Sequence, residues 1–207
     1  MGFPSTGTCQ LCEHTATKAA MARHVVRCAR EHDRGGLRET LVHLRVEAAG
    51  APGYWLHIEA RATASFQQLD ALLRAVWLEC CGHMSAFRIR RREVSKRTAL
   101  GLLLDDPQGA FEYEYDFGST TALKGKALGF RQGSAIRPAV RVLARNAPMP
   151  WRCAECGGKA EVICSNCLDS DACLFCSTHS SHHPCADDEM WLPVVNSPRM
   201  AVCGYTG

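Results

Sequence analysis

The segment from residue 153 to residue 185 holds seven of the 13 cysteines of this 207-residue chain, and their spacing is the strongest constraint on the fold. It reads C-x2-C-x7-C-x2-C-x5-C-x2-C, followed by three histidines and one more cysteine. Cysteines two residues apart are typical of tetrahedral zinc sites, because the turn between them points both sulfurs at one ion. The candidate zinc ligands are Cys153, Cys156, Cys164, Cys167, Cys173, Cys176, His179, His182, His183 and Cys185.

A second metal-binding pattern lies near the N-terminus. Cys9-x2-Cys12 is followed after eleven residues by His24-x3-Cys28, which nearly matches the spacing of a ββα zinc finger. His24 and Cys28 are four residues apart, so on a helix they lie on one face and reach one ion. The alanine-rich residues 15–30 predict that helix. No Phe, Tyr or Trp lies between Cys12 and His24, so we expect metal to contribute most of the stability of this C2HC finger.

The cysteine content also bears on compartment and chemistry. No secretory segment and no membrane-spanning apolar run is found, so we expect a reducing cytoplasm, where cysteines bind metal more often than they form disulfides. Catalytic zinc keeps an open coordination position, whereas closed thiolate-rich sites are structural. We therefore expect about three zinc ions, one N-terminal and two C-terminal, and no enzymatic activity. Bound thiolates would also cancel most of the formal charge of +3.

Between residues 37 and 146 the patterns predict an α+β domain, an antiparallel sheet with one principal helix. Residues 40–48 and 54–58 alternate in hydrophobicity on either side of a Gly/Pro turn, which indicates a hairpin. Ser65 and Gln68 form a capping-box pattern ahead of an apolar stripe at helical spacing.

Two further stretches of this domain carry residues that invite a chemical interpretation. Phe111, Tyr113 and Tyr115 alternate with acidic residues and predict a half-buried strand, on which we expect Glu114 and Asp116 to face solvent. The run Cys80-Cys81-Gly82-His83 sets thiols beside an imidazole, which suggests a nucleophile and its base. We favour the alternative, a helix end whose cysteines pack as small apolar residues.

The middle domain resembles the plasmid ORF-three-like family, which was named from an Ri plasmid and is associated with insertion-element passenger proteins. The resemblance rests on the stretch LVHLRVEAAGAPGYWLHIEARATASFQQLDALLRAVW, on Gly82-His83 ahead of Phe87-Arg88-Ile89, and on the run YEYDFG. Where many relatives continue with Asp and a downstream Trp, this chain has Ser119, Thr120 and Thr121. The resemblance implies a globular α+β module from a bacterium or mobile element, in a zinc-bearing subgroup, with no established activity.

The C-terminal cysteine cluster resembles the B-box and MYND class of cross-brace fingers, which mostly bind proteins. In that class the first and third ligand pairs share one zinc, and the second and fourth pairs share another. The sets that this resemblance implies are Cys153 and Cys156 with Cys173 and Cys176, and Cys164 and Cys167 with two of His179, His182, His183 and Cys185. An alternative register pairs Cys176 with His179 and leaves Cys173 out.

These patterns divide the chain into four parts: a C2HC finger and linker (1–36), the α+β domain (37–146), the cross-brace finger (147–189) and a tail (190–207). The apolar residues 191–195 predict that the tail lies on a sheet edge or on a neighbouring molecule. We expect a zinc-binding adaptor with a protein partner and no membrane or small-molecule partner.

Nucleic-acid binding by an accessory protein of a mobile element is the alternative. It would use the N-terminal finger and the one dense basic run of the chain, whose salt-dependent affinity would be the signature. A solvated charged loop explains the same run without any function. The candidate contacts are Arg88, Arg90, Arg91, Arg92, Lys96 and Arg97.

Overall fold

The computed structural model describes residues 5–106, 108–170, 172–185 and 191–207. The chain forms two compact units: a first unit of Met1–Ala75 and His83–Ala147, and a second unit of Val76–Gly82 and Pro148–Gly207. The predicted boundary between the C-terminal finger and the tail, at residues 189 and 190, lies outside the described residues. None of the described helices has the length and apolar character needed to span a bilayer.

An antiparallel sheet dominates the first unit, as the α+β prediction requires. Its nine described strands lie in the order β2-β1-β9-β4-β3-β8-β7-β5-β6. The elements of this part of the chain are β1 (Thr6–Cys9), β2 (Thr15–Thr17), α1 (Lys18–Glu31), β3 (Arg38–Ala48), β4 (Trp55–Arg61), α2 (Phe66–Leu73) with a π-helical turn (Arg74–Leu78), β5 (Ser85–Ile89), β6 (Arg92–Val94), α3 (Leu102–Asp105), β7 (Ala110–Tyr115), β8 (Thr121–Ser134) and β9 (Val140–Asn146).

The patterns that are local in sequence are confirmed. Strands β3 and β4 form the predicted hairpin. The capping box opens α2: the Gln68 amide donates to Ser65 Oγ at 3.3 Å, and the Ser65 amide donates to Gln68 Oε1 at 2.9 Å. Phe111, Tyr113 and Tyr115 are buried on one face of β7, as their alternation predicts.

The expectation that Asp116 faces solvent is wrong. Strand β7 ends at Tyr115, so the alternation of side chains stops there, and Asp116 adopts a left-handed backbone with φ of 63°. Its side chain turns inward and accepts a hydrogen bond from the Gly118 amide at 3.0 Å, which leaves the residue only 6% exposed. Glu114, on the strand itself, is half-buried and forms an ion pair with Arg88.

Strand β1 joins the sheet by pairing with the last strand, β9, so that Gly7 lies opposite Asn146. Helix α1 packs over this corner of the sheet. Trp55 of β4 is fully buried there in one cluster with Met21 and Val25 of α1. The aromatic residue that residues 12–24 lack is therefore contributed by the middle of the chain.

The second unit is built from short elements around a small core. They are β10 (Val162–Cys164), a 3-10 turn (Ser165–Cys167), β11 (Leu174–Phe175), α4 (Ser177–Ser180) and β12 (Trp191–Pro193). Strand β12 pairs antiparallel with β10, with Cys164 opposite Trp191. This pairing confirms the prediction that the tail lies on a sheet edge. One cluster of buried side chains consists of Cys153, Cys164 and Phe175.

Candidate metal centres

The N-terminal centre consists of Cys9, Cys12, His24 and Cys28, whose ligand atoms all lie within 4.8 Å of one another. The Sγ atoms of Cys9 and Cys28 are 3.8 Å apart, and Cys12 Sγ lies 3.2 Å from His24 Nε2. In a tetrahedral site, Zn–S bonds of about 2.3 Å separate two sulfurs by about 3.8 Å. The four side chains therefore have the spacing of a tetrahedral zinc site.

Two backbone features place these ligands. After Cys9 the chain turns sharply: the Glu13 amide donates to the Cys9 carbonyl at 2.9 Å, and Glu13 has a φ of 62°. This turn brings the thiols of Cys9 and Cys12 to one side. Helix α1 begins after Thr17, whose hydroxyl accepts from the Ala20 amide at 3.4 Å, and it presents His24 and Cys28 one turn apart.

The pKa shifts at this centre favour the metal-binding protonation state of two ligands and oppose that of one thiol. A hydrogen bond from the backbone of His14 lowers the pKa of the Cys12 thiol, and burial lowers the pKa of His24, which favours a thiolate and a neutral imidazole. Burial, followed by hydrogen bonds to Cys12 and Cys9, raises the pKa of Cys28 to about 12. Several thiolates crowded together need a cation to offset their repulsion, which is what a bound metal supplies.

The first C-terminal centre consists of Cys153, Cys156, Cys176 and His179. Cys156 Sγ lies 4.0 Å from Cys176 Sγ, and His179 Nδ1 lies 3.1 Å from Cys176 Sγ and 3.6 Å from Cys153 Sγ. Burial raises the pKa of the Cys153 thiol, but backbone amide donors, that of Cys156 foremost, outweigh it and hold the pKa at about 6. The backbone thus favours the thiolate that zinc requires.

The second C-terminal centre consists of Cys164, Cys167, His183 and Cys185. His183 Nε2 lies 3.4 Å from Cys167 Sγ. The imidazole packs against two aromatic rings, with centroid distances of 4.5 Å to Phe175 and 5.5 Å to Trp191. Trp191 also donates from Nε1 to the Cys185 carbonyl at 3.2 Å, so strand β12 helps to hold this centre together.

The ligand pairs of the two C-terminal centres alternate along the chain, which is the alternative register considered for the sequence. The structure pairs Cys176 with His179 because α4 begins immediately after Cys176 and returns His179 to the same side one turn later. Cys173 and His182 belong to none of the ligand groups formed by the described residues. The Cys173 carbonyl accepts from the Cys164 amide at 2.8 Å, and His182 Nδ1 lies 3.0 Å from the Thr178 carbonyl oxygen.

The ligand composition of the three centres bears on which reactions a bound metal ion could support. Each offers three thiols and one imidazole, which would fill the four positions of a tetrahedral metal ion. None of the 13 cysteines, all within the described part of the chain, forms a disulfide.

A fourth group that can hold metal includes Cys80, Cys81 and Cys203. Sequence reasoning missed it because Cys81 and Cys203 are 122 residues apart.

The basic run is partly neutralised in the first unit. Arg88 forms an ion pair with Glu114, Arg90 Nη2 lies 2.6 Å from Asp106 Oδ1, and Lys96 Nζ lies 3.2 Å from Asp70 Oδ2. The other three basic side chains are exposed, and no ion pair to a described carboxylate is formed by any of Arg91, Arg92 and Arg97.

Comparison with known proteins adds little to this geometry. No protein-family model and no curated protein matches the sequence. Among solved structures, the chain is similar to the crystal structure of a protein of unknown function, MM3350 from Methanosarcina mazei Go1. The match has 20% sequence identity and a TM-score of 0.45, and it covers 58% of this chain and 75% of that chain.

Proposed function

We propose that this protein is a non-enzymatic, zinc-stabilised interaction protein with one zinc ion in the N-terminal centre and one in each C-terminal centre. The observation that carries the proposal is that each centre gathers three thiols and one imidazole within 4.8 Å. Thiolate and imidazole ligands at this spacing suit zinc, whereas magnesium and calcium prefer oxygen ligands.

The completeness of the ligand sets supports a structural role for the metal. A zinc ion held by four protein ligands has no position left for a substrate or an activated water molecule. Such ions contribute directly to folding free energy. This role fits the second unit, because two of the three members of its buried cluster, Cys153 and Cys164, are themselves candidate ligands.

The alternation of ligand pairs supports a cross-brace finger in the second unit, a class that mostly presents protein-binding surfaces. A groove of about 710 Å³ on this unit offers such a surface. It is lined by the segment from Pro148 to Arg152, by residues around Lys159, and by Val194 and Val195 next to β12. Arg152 and Lys159 are exposed on it, so their charges are available to a partner segment.

Nucleic-acid binding is the second candidate function. Its support is the exposed trio Arg91, Arg92 and Arg97, whose charges are not offset by described carboxylates. The ion pairs of Arg88, Arg90 and Lys96 offset three of the six positive charges of the run. Membership of the plasmid ORF-three-like family, an origin in a mobile element and a cytoplasmic location remain predictions.

Two charge-reversal variants separate the two functions. The first reverses the groove (Arg152→Glu with Lys159→Glu), and the second reverses the basic run (Arg91→Glu with Arg92→Glu). Both sets of side chains are exposed, so both variants should fold. Each variant would serve as bait in a pull-down from a nuclease-treated lysate. Each would also be tested for nucleic-acid binding in a mobility-shift assay at low salt and at high salt.

If the protein is an adaptor, the groove variant loses specific protein partners while the basic-run variant keeps them, and no mobility shift occurs. A salt-sensitive mobility shift that the Arg91 and Arg92 substitutions abolish, with no captured protein, would reverse this order of preference. Turnover that survives full occupancy of the three centres by zinc would contradict the non-enzymatic assignment.

A further inference from the structure

Three cysteines outside the centres described above come together in the second unit. The Sγ atoms of Cys80 and Cys81 are 3.6 Å apart, and Cys81 Sγ lies 3.6 Å from Cys203 Sγ. All three sulfurs fall within 4.8 Å of one another. Cys81 and Cys203 are exposed and Cys80 is half-buried, so these thiols are not the small apolar core residues that the sequence suggested.

The tail is held against the segment that carries Cys80 and Cys81. The Ser197 hydroxyl donates to the Trp77 carbonyl at 2.6 Å, and both residues are buried. Beyond it the chain makes a series of tight turns, in which Cys203 adopts a left-handed backbone with a φ of 53°. A non-glycine residue in this conformation is uncommon and is retained where the surrounding structure or a ligand fixes it.

The sulfur spacing distinguishes between the uses that three thiols can have. A disulfide requires a bond of about 2.05 Å and can join only two of the three sulfurs. Separations of 3.6 Å are close to the distance of about 3.8 Å between two thiolates on one tetrahedral zinc ion. Three exposed thiols at this spacing are more similar to the thiols of the three metal centres described above than to cysteines packed in an apolar core.

We propose that Cys80, Cys81 and Cys203 bind a fourth zinc ion. Three thiolates leave one position of a tetrahedral ion for a further ligand.

A metal ion at this position would fasten the C-terminal tail. It would join residues 122 positions apart in sequence and close a long loop, which restricts the unfolded chain more than a short cross-link does. Strand β12 lies within that loop, so the fourth ion would also support the sheet edge formed by the tail. This inference does not depend on the proposed adaptor function, because the tail could bind a zinc ion whether or not the protein binds a partner.

The test is a count of metal ions by native mass spectrometry on the full chain, purified under reducing conditions with zinc. We expect four ions in the wild type and three in Cys81→Ser and in Cys203→Ser. Retention of the other three ions would show that each variant still folds. Cys173→Ser is the matched control, because Cys173 lies outside all four ligand groups, and it should keep four ions.

Cobalt substitution gives an independent readout. The charge-transfer absorbance of cobalt thiolates follows the number of bound sulfurs, and each of the four groups contributes three. Cys203→Ser should therefore lower it by about a quarter if the whole site is lost.

Two results would overturn the fourth site. One is a wild-type count of three ions together with rapid alkylation of Cys81 and Cys203 in the zinc-loaded protein. The other is a disulfide between two of the three cysteines in protein isolated without oxygen. Loss of an ion from Cys153→Ser but not from Cys203→Ser would accompany the first of these results and would leave the three structural centres intact.

Discussion

Arg131 and Glu59 form a buried ion pair in which Arg131 Nε donates to Glu59 Oε1 at 2.9 Å. Glu59 is 2% exposed, and its other oxygen accepts from Arg141 at 2.6 Å. Arg131 also reaches the end of α1, donating from Nη1 to Asp33 at 2.8 Å and from Nη2 to the Ala29 carbonyl at 3.2 Å. One guanidinium of β8 therefore links the helix of the N-terminal centre to the sheet.

We expect Glu59→Gln to lower the free energy of unfolding by about 1–3 kcal/mol, because Arg141 loses its carboxylate partner and Arg131 keeps only Asp33 as a counter-charge. Denaturant unfolding at saturating zinc would measure the change. Glu31→Gln is the matched control, since its ion pair with Arg27 is exposed, and it should alter stability by less than about 1 kcal/mol. Equal effects of the two substitutions would show that the buried network adds nothing.

Gly7 lies where β1 passes closest to Trp55. A Cβ atom at this position would overlap the Trp55 ring and the Arg145 carbonyl oxygen. We expect Gly7→Ala to destabilise the protein by about 1–3 kcal/mol and to weaken zinc binding at the N-terminal centre, because Cys9 is on the same strand. Gly50→Ala, where a Cβ atom meets nothing within 4 Å, is the control. Zinc titration of both variants with thermal unfolding would show whether the strain is specific to position 7.

The C-terminal ligand sets can be tested by paired substitutions. Cys176→Ser and His179→Ala should each remove one zinc ion, whereas Cys173→Ser and His182→Ala should remove none, because neither belongs to a ligand group. Native mass spectrometry provides the count. Loss of zinc from Cys173→Ser with retention in His179→Ala would restore the register in which both cysteines of the third C-x2-C pair bind one ion.

The parts of the fold that could be predicted are those that local patterns encode. The Ser65 capping box, the first hairpin and the strand that carries Tyr113 each depend on residues a few positions apart, whose periodicity is visible in the sequence. The tail also paired with a sheet edge as its apolar residues indicated.

The remaining features depend on contacts between distant segments, which leave no local pattern. Pairing of β1 with β9, the use of Trp55 to fill the core of the N-terminal finger and the ion pairs of Arg131 all join residues far apart in sequence. For the metal centres, spacing indicated most candidate ligands. The choice of His179 over Cys173 was set by the start of α4, and sequence alone left both registers open.

The half-buried imidazole of His43 and the fully buried imidazole of His57 give a pH-dependent prediction. His43 Nε2 and His57 Nδ1 lie 2.8 Å apart. Burial, aided by Arg45, lowers the pKa of His43 to about 4, and burial with the neighbouring His43 lowers the pKa of His57 to about 3. The unfolded chain would bind protons below pH of about 6.5, while the folded chain would not do so until about pH 4. Stability should therefore fall as the pH falls through this window, by up to about 1.4 kcal/mol per pH unit for each imidazole.

Nuclear magnetic resonance of the carbon-bound imidazole protons would test this directly and separately from any loss of zinc. Between pH 7.5 and 5 the resonances of His43 and His57 should not shift, while free histidine in the same tube titrates. A midpoint near pH 6.5 for either residue would show that the pair is more open to solvent than its burial indicates.

Removal of metal should affect the two units unequally. The first unit has a nine-stranded sheet, whereas the buried cluster of Cys153, Cys164 and Phe175 in the second unit consists largely of candidate metal ligands. We expect a strong chelator to abolish amide protection in β10 and β11 while protection in β3 and β8 persists, because the sheet does not depend on zinc. Hydrogen exchange followed by mass spectrometry would locate the loss, and restored zinc should reverse it. Protection that survives in β10 after all metal has been removed would contradict a structural role for the C-terminal ions.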